Sequence, residues 1–288
     1  MLRGLYTAAA GMITEQRRHD IVTNNIANLN TPGYKAMDAV NRAFPEMLVS
    51  AMGGENPPAG PLGSFNLGVF AEENLLRMAQ GDLHQTYRNQ DLAIVSDIQV
   101  NGAVFDASGK YVDAAGNVVY QPQAFFTVAG PDGRPRYTRD GSFRTAADGT
   151  LTTENGDPVL GADGNPLVVN EPWDTISVAA DGSLLDAATG APLPGNPRLM
   201  LTRVDNPNLL LREGNGLFRY TGAPAGIRQV QPGDRVEVRQ GYLEGSNVDP
   251  AQSMVDLMTA LRAYEANQQV IQFYDKSLDK AVNEVGRV

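Results

Sequence analysis

The stretch NNIANLNTPGYK, residues 24–35, places four asparagines within seven residues, directly before a Thr-Pro-Gly-Tyr turn. Asn24 and Asn28 are four residues apart and would share one face of a helix. Amide side chains both donate and accept hydrogen bonds, so they can cap carbonyl groups at a helix end and bond to neighbouring chain. Pro32 would stop the helix, and Gly33 would permit a sharp exit. The stretch therefore predicts the carboxyl end of a first helix and the turn that leaves it.

The residues before this turn have the pattern of an amphipathic helix with a narrow apolar seam. The seam has 3-4-3 spacing and consists of Leu2, Leu5, Ala9 and Met12. Gly4, Ala8 and Gly11 form a second stripe, although glycine inside a helix costs about 1 kcal/mol relative to alanine. Small residues one heptad apart indicate close approach by another backbone, with a poorly optimised surface helix as the alternative.

The carboxyl end of the sequence predicts a longer helix. Asp249, Pro250 and Gln252 have the spacing of an N-cap, a first helical residue and a capping-box partner. A 3-4 alternation follows, and its positions are Met254, Leu257, Leu261, Tyr264, Gln268, Ile271, Asp275, Leu278, Val282 and Val285. Polar positions such as Gln268 and Asp275 can fix the register of a seam. We therefore predict that the first helix pairs with this one as an antiparallel coiled coil.

The residue pattern in the middle of the chain differs from the helical pattern at its ends. RAFPEMLVSAM (42–52) could form a short helix, whereas GGENPPAGPLGSF (53–65) is too rich in glycine and proline for regular structure. From residue 81 onward, short β runs alternate with Asp-Gly and Asn-Gly dipeptides, which tolerate the backbone angles of tight hairpins. The segment from Phe125 to Leu160 predicts four short strands.

These patterns predict an α+β fold in which N- and C-terminal helices, paired as a coiled coil, flank a central β-rich domain of short strands and hairpins. The predicted boundaries are 1–36 with 246–288 for the helical domain, 37–80 for an extended connector rich in glycine and proline, and 81–245 for the β-rich domain.

Composition narrows the classes of function. The 288 residues include 23 basic and 33 acidic side chains, a formal net charge of −10, so a basic nucleic-acid surface is not expected. Without cysteine, the chain has neither disulfides nor thiolate metal sites. The first twenty residues lack the continuous apolar core of a cleavable signal peptide. No stretch reaches the roughly 18 apolar residues of a membrane span.

Candidate catalytic and metal-binding residues are few. His19 and His84 are the two histidines, and neither lies in a metal-binding motif. No nucleophile elbow, phosphate-binding loop or dinucleotide fingerprint is present. Five of the 33 acidic residues lie in Asp-Gly turns, where hairpin geometry accounts for them better than calcium-loop spacing does. The sequence therefore predicts neither an enzyme nor a cofactor.

NNIANLNTPGYK resembles the NNxANxxTxGYK signature of the bacterial flagellar rod and hook axial proteins. Three further segments resemble that family in the same order: GDLHQTYRNQDLAI (81–94), YTRDGSFRTAADGTLTTENGDPVLG (137–161) and VRQGYLEGSNVDPAQSMVDLMTALRAYEANQQVI (238–271). Chain length is most similar to the distal-rod group, and RAFPEML (42–48) looks most like its Gram-positive branch. The chain departs from the family pattern over residues 95–124, which intervene between DLAI and Phe125-Phe126.

The resemblance implies a structural subunit that is exported unfolded and assembles helically into the hollow basal-body shaft between motor and hook. It implies partners among copies of itself, proximal-rod and other distal-rod proteins, the hook protein and the flagellar export apparatus, with no cofactor, nucleic acid or small-molecule substrate. The implied subunit-interface residues are Gly4, Gly11, Asn24, Asn25, Asn28, Thr31, Gly33, Tyr34, Gly241, Leu243, Ser246, Asn247, Val248, Arg262, Tyr264 and Glu265.

A different class of protein remains as an alternative. It is a secreted β-domain binding module, for example for cell-wall glycan, carried on a helical oligomerisation stalk. Such a module would need an exposed aromatic platform, and the chain has one tryptophan, Trp173.

Overall fold

A computed structural model describes residues 2–49, 63–66, 68–100, 102–106 and 109–285. The chain divides into two compact units. We call them the helical unit (Met1–Ala27, Met37–Leu75 and Asp249–Val288) and the β unit (Asn28–Ala36 and Leu76–Val248). An amino-terminal helix, a carboxyl-terminal helix and a strand-rich middle confirm the α+β class. No helix in the described ranges combines the length and apolar character needed to cross a bilayer.

The two long helices, both in the helical unit, are α1 (Leu2–Ala27) and α2 (Pro250–Lys280). A π-helical turn, Ala281–Val285, follows α2. The predicted start of α2 is confirmed, because the Asp249 side chain accepts hydrogen bonds from the backbone N–H groups of Ala251 and Gln252 at 2.9 and 3.1 Å. These bonds satisfy two donors that a helix start otherwise leaves unpaired.

The face of α2 that is turned inward differs from the predicted seam. Leu257, Tyr264, Ile271 and Leu278 are partly buried, as the seam requires, but the alternate seam positions Met254, Leu261, Gln268, Asp275 and Val282 are exposed. In their place lie Ser253, Ala260, Asn267 and Tyr274, one residue earlier in each turn. Gln268 and Asp275 therefore do not interrupt the contact between α1 and α2.

Glycines on α1 provide the physical reason for this rotation. A Cβ atom on Gly4 would lie 2.5 Å from the Tyr274 ring carbon Cζ, and one on Gly11 would lie 2.9 Å from the Asn267 amide nitrogen. The small-residue stripe thus receives side chains of α2 from the same chain, not another backbone as the sequence suggested. Arg18 and Asp256 add an ion pair at 3.3 Å between the two helices.

The strands are short and number twenty-two in the described ranges. In chain order they are β1 (Met37–Asp38), β2 (Asn41–Ala43), β3 (Met47–Val49), β4 (Gly63–Phe65), β5 (Val69–Ala71), β6 (Leu75–Leu76), β7 (Leu83–Gln85), β8 (Leu92–Ser96), β9 (Lys110–Val112), β10 (Val118–Tyr120), β11 (Gln123–Ala129), β12 (Pro135–Thr138), β13 (Arg144–Thr145), β14 (Leu151–Thr152), β15 (Ile176–Val178), β16 (Leu184–Asp186), β17 (Leu201–Val204), β18 (Leu210–Gly214), β19 (Leu217–Tyr220), β20 (Ile227–Gln229), β21 (Val236–Gln240) and β22 (Tyr242–Glu244). Short 3₁₀ turns occur at Trp173–Thr175, Pro207–Leu209 and Pro224–Gly226.

In the helical unit, β2 pairs with β5 and β3 pairs with β4, all antiparallel. The prediction of a short helix in RAFPEMLVSAM is therefore wrong, since this stretch contributes to β2 and β3. Pro45 disfavours the helical conformation of the preceding Phe44, and the Phe44 ring packs against Phe70 at 5.1 Å between centroids. Gly63–Phe65 forms β4, which also corrects the expectation that 53–65 lacks regular structure; residues 53–62 lie outside the described ranges.

The β unit is built around a six-stranded antiparallel sheet in the order β18-β19-β12-β11-β17-β20. The four strands predicted between Phe125 and Leu160 are confirmed as β11 to β14. Side chains alternate between the two faces of a strand, so the adjacent rings of β11 enter different clusters. Phe126 packs on Phe143 in the main core, and Phe125 packs on Phe218 in a second cluster. Burial on both faces explains why two adjacent residues of this strand are both large and apolar.

The segment 95–124, where the chain departs from the family pattern, contains the end of β8, the β9–β10 hairpin and the start of β11. Val112 pairs directly with Val118 across the hairpin. The Phe105 ring packs edge-on against Tyr111 at 6.5 Å. Residues 110–120 thus form a local hairpin that precedes β11 in the chain.

Most predicted hairpin turns have the expected geometry, with positive φ at glycines 133, 149, 156, 164, 182 and 216. Asp140-Gly141 is an exception. Gly141 does not have positive φ, and a Cβ there would lie 2.7 Å from the carbonyl carbon of Leu92. Glycine is required at this position for close approach of two backbones, not for a turn.

Candidate functional site

The signature loop, residues 28–36, follows α1 and folds as a part of the β unit. It begins with a turn in which the backbone N–H and the hydroxyl of Thr31 donate to the backbone carbonyl and side-chain oxygens of Asn28, at 3.3 and 3.2 Å. The N–H of Tyr34 donates to the carbonyl of Thr31 at 3.3 Å. The asparagine and threonine of the motif therefore shape the exit from the helix, as the sequence indicated.

Gly33 is held against two other segments of the β unit. Its φ angle is +66°, in the left-handed region that favours glycine. Its N–H donates to the carbonyl of Glu244 at 2.7 Å. A Cβ atom here would lie 2.5 Å from the backbone nitrogen of Asp140. Both the backbone angle and the lack of space require glycine.

A buried charge cluster is formed by Lys35 of the signature loop together with Arg139 and Glu244. The Lys35 ammonium donates to Glu244 Oε1 at 2.7 Å and to the carbonyl of Ala79 at 2.8 Å. The same carboxylate oxygen accepts from the N–H of Gly81 at 2.9 Å. Arg139 Nη1 lies 3.5 Å from Glu244 Oε2. All three side chains are at most 1 % exposed.

The electrostatics of the cluster follow from its burial. Burial, then the nearby Arg139 charge, lowers the pKa of Lys35 to about 8, against the favourable effect of Glu244. Burial alone would raise the pKa of Glu244, but the charges of Arg139 and Lys35 and the hydrogen bonds to its carboxylate lower it. The cluster thus places two basic side chains around one carboxylate, which is an excess of one positive charge when all three groups are ionised.

Neutral acceptors disperse that excess charge around Arg139. Its guanidinium donates to the Ile94 carbonyl, the Ser96 hydroxyl and the Gln123 side-chain oxygen, each at 3.0 Å. These acceptors lie on β8 and β11, so the arginine is fixed by two strands of the β unit. Removing one partner from such a buried pair typically costs 3–5 kcal/mol, because the remaining charge stays buried without compensation.

Tyr34 anchors the loop by apolar contact. The residue is 2 % exposed and packs with Leu29, Ala36 and Val248. The Arg212 guanidinium lies 3.9 Å from the centre of the Tyr34 ring. A cation over an aromatic face contributes roughly 0.5–2 kcal/mol, more when desolvated.

Asn247 connects the loop to the segment before α2. Its side-chain oxygen accepts from the N–H of Ala36 at 2.7 Å, and its amide nitrogen donates to the carbonyls of Arg77 and Ala79 at 2.7 and 2.9 Å. Its own N–H donates to the carbonyl of Tyr34 at 3.3 Å. One amide thus ties three segments together, which no smaller polar side chain could do.

The Asn25 side chain likewise forms two hydrogen bonds with the backbone of another segment, here within the helical unit. Its amide nitrogen donates to the Met37 carbonyl at 2.8 Å, and its oxygen accepts from the Met37 N–H at 3.0 Å. Asn25 is 7 % exposed, whereas Asn24 next to it is exposed. The asparagines of the motif therefore serve different purposes.

The sixteen residues expected from the resemblance fall into three groups. Eight of them belong to the β unit and lie either in the signature loop or in residues 243–248: Asn28, Thr31, Gly33, Tyr34, Leu243, Ser246, Asn247 and Val248. Gly241, also in the β unit, lies apart from the loop in a turn with φ of +77°, where its N–H donates to the carbonyl of Asp91. The helical unit holds Gly4, Gly11, Asn24, Asn25, Arg262, Tyr264 and Glu265, of which Asn24, Arg262 and Glu265 are exposed.

The charge cluster itself was missed by the sequence reasoning. Lys35, Arg139 and Glu244 each lie in a segment whose resemblance to the family was recognised, but none of them was proposed as a site residue. The sequence shows only that two of the three separated motifs contain a basic residue, Lys35 or Arg139, and that the third contains an acidic one, Glu244. A sequence gives no indication that such residues meet in the interior.

Comparison with known proteins places these motifs in one family. The chain matches the models of a flagella basal body rod protein over residues 5–35, of the flagellar hook protein FlgE/F/G D1 domain over 121–185, and of the flagellar basal body rod FlgEFG protein C-terminal region over 239–284. Each matched region contributes one residue of the charge cluster.

Relatives are similar over their full length. The chain is 34 % identical to the flagellar hook-basal body complex protein FlhO of Bacillus subtilis, with all of both chains covered. It is 30 % identical to the flagellar basal-body rod protein FlgF of Caulobacter vibrioides, again with full coverage. It is 29 % identical to FlgG of Borreliella burgdorferi over 98 % of each chain. The chain therefore belongs to the family of flagellar basal-body rod and hook-basal body proteins.

Proposed function

We propose that this protein is a structural, non-catalytic subunit of the distal flagellar rod, which assembles helically with copies of itself into the hollow shaft between motor and hook. The observation that carries the proposal is the exposed apolar surface of the two long helices, within regions that match rod proteins. Family membership supports the location in the flagellar basal body.

Several large apolar side chains of the two helices are exposed in the single chain. The Tyr6 and Phe273 side chains are each 68 % exposed, and further exposed apolar side chains are Ile13, Met254, Val255, Met258, Leu261, Val270 and Val282. Exposed apolar patches of this kind mark interaction sites in soluble proteins. In a helical polymer each subunit contacts several neighbours by heterologous interfaces, which would cover such a surface.

We propose that α1 and α2 pair as a coiled coil and present this surface outward. Leu257, Tyr264, Ile271 and Leu278 recur at seven-residue intervals and are partly buried, which supports that geometry. Among the family-signature residues, the proposed contacts between subunits involve the exposed Asn24, Arg262 and Glu265. The signature residues buried in the β unit act within one chain, by holding the loop in place.

The one tryptophan does not supply the exposed aromatic platform that the binding-module alternative needs. Trp173 is partly buried, packs against the main core, and donates from its indole N–H to the Thr145 hydroxyl at 2.8 Å. It therefore works as a packing residue and not as an aromatic platform. The proximal-rod proteins, other distal-rod proteins, hook protein and export apparatus are proposed as partners on the strength of family membership.

A charge placed on the exposed helical surface tests the proposal. Phe273→Asp should abolish rod assembly while leaving the β unit folded, because Phe273 lies in the helical unit and its side chain is exposed. Val104→Asp is the matched control, since it makes the same kind of change at a residue of the β unit that is 84 % exposed. Rods are counted in isolated basal bodies, and an epitope-labelled copy gives the position of the subunit.

The proposal would be refuted in either of two ways. Normal rods built from the Phe273→Asp chain would show that the helical surface is not an interface. A deletion strain that still assembles hooks would show that the protein is not part of the shaft.

A further inference from the structure

The charge cluster joins segments that are far apart in the chain. Lys35 lies in the signature loop after α1, Glu244 ends the last strand before α2, and 209 positions separate them. Arg139 comes from the middle of the chain, directly after β12. A cluster of this composition can form only when both outer segments of the β unit are in place.

The surrounding contacts have the same connectivity. Gly33 bonds to the backbone of Glu244, Asn247 bonds to Ala36, and the Glu244 carboxylate also accepts from Gly81. Each bond links an outer segment of the β unit to another outer segment. The large apolar core, by contrast, is formed by residues between Leu92 and Val238. Lys35 and Glu244 therefore lie outside the part of the sequence that forms the core, and only Arg139 lies within it.

We infer that the signature loop and its charge cluster act as a latch, which closes the β unit after its apolar core has formed. Lys35 and Glu244 lie in the two segments that connect the β unit to α1 and α2. The β unit therefore reaches its full stability only when both segments are in place. This role concerns folding of the single chain and is separate from assembly of the shaft.

Two physical reasons place closure of the latch after core formation. Closing a loop of about 200 residues costs more entropy than forming local hairpins, so distant contacts form late unless strongly favoured. Lys35 and Glu244 also lose their hydration when buried, and this loss is compensated only where Arg139, Ala79 and Gly81 already hold their final positions. An incomplete shell would leave a desolvated charge without its partners.

Folding kinetics of the purified full-length chain test the inference. Trp173 is the only tryptophan and packs on the main core, so its fluorescence reports the state of the β unit. Lys35→Met should raise the unfolding rate on the order of 100-fold or more and change the refolding rate by less than about threefold. This is the pattern of a contact absent from the transition state.

A matched control separates the latch from a general effect of charge removal. Arg144→Met breaks the exposed Arg144–Glu154 pair of the same unit, whose side chains are 64 and 58 % exposed, and should leave both rates within about threefold. If Lys35→Met does not fold, Glu244→Gln, which keeps the size of the side chain and one acceptor oxygen but removes the charge, takes its place. Refolding slowed by the same factor as the loss of stability would overturn the inference, and so would rates equal to those of Arg144→Met.

Discussion

Replacing Gly33 by alanine tests whether the signature loop is fixed by steric contact with the β unit. The residue adopts a φ of +66°, and its N–H bonds to the Glu244 carbonyl at 2.7 Å. The added methyl group would lie 2.5 Å from the Asp140 nitrogen and 2.7 Å from the Arg139 carbonyl oxygen. These are backbone atoms, so they cannot rotate away as a side chain would.

The expected cost has two parts. A non-glycine residue in the left-handed region costs about 1–2 kcal/mol, and forcing a methyl group into occupied space costs about 1–3 kcal/mol. Gly33→Ala should therefore reduce the free energy of unfolding by about 2–5 kcal/mol. Gly133→Ala is the matched control, because Gly133 has a similar φ of +72° with no atom within 4 Å of the added methyl group.

Urea unfolding followed by Trp173 fluorescence measures both variants. The control should lose only the conformational part, offset by about 0.4–1 kcal/mol from the reduced entropy of its unfolded chain. The difference between the variants then isolates the steric contact, at about 1–3 kcal/mol. Equal loss of stability in the two variants would refute the argument that the loop is packed against the backbone at Arg139 and Asp140.

Three further predictions concern other parts of the molecule. Gly11→Leu should reduce the yield of assembled rods while the unfolding curve of the β unit, read from Trp173, stays unchanged; a normal yield would contradict a packed stripe. Burial alone would raise the pKa of Asp234, but hydrogen bonds from Arg228, the Gln231 N–H and Arg203 lower it to about 2. Because this pKa is below its ordinary value, ionised Asp234 stabilises the folded state by about 2 kcal/mol above about pH 4. This stabilisation is lost as the pH falls towards 2. Asp234→Asn should therefore remove this pH dependence from acid unfolding curves. Backbone amides of residues 3–28 and 250–285 should exchange within seconds in the dilute monomer and become protected in the assembled shaft, since isolated amphipathic helices gain most of their stability from packing; slow exchange in a verified monomer would contradict it.

Local features of the sequence predicted much of the fold. Asp249 and Pro250 marked the start of α2, since capping depends on residues within one helical turn. The glycines of the hairpin turns were recognised because positive φ is a property of a few consecutive residues. The structural role was indicated before any contact was known by the resemblance of four segments to the flagellar rod and hook axial proteins.

Features that depend on a partner segment were not predicted correctly. The 3-4 alternation of α2 was right, but its inward face is rotated towards Ala260, Asn267 and Tyr274, because Gly4 and Gly11 of α1 leave space for large side chains. Hydrophobicity alone selects the most apolar stripe of a helix, whereas packing selects the stripe whose shape fits its neighbour.

The signature loop shows the same division between sequence and structure. The sequence by itself determined that NNIANLNTPGYK ends a helix in a sharp turn, because proline, glycine and asparagine restrict the backbone locally. Only the tertiary structure decided that Lys35 meets Glu244 and Arg139 in the interior of the β unit. The sequence gives the sign of each charge. Burial of the charge depends on which distant segments exclude water around it, and this arrangement exists only in the folded chain.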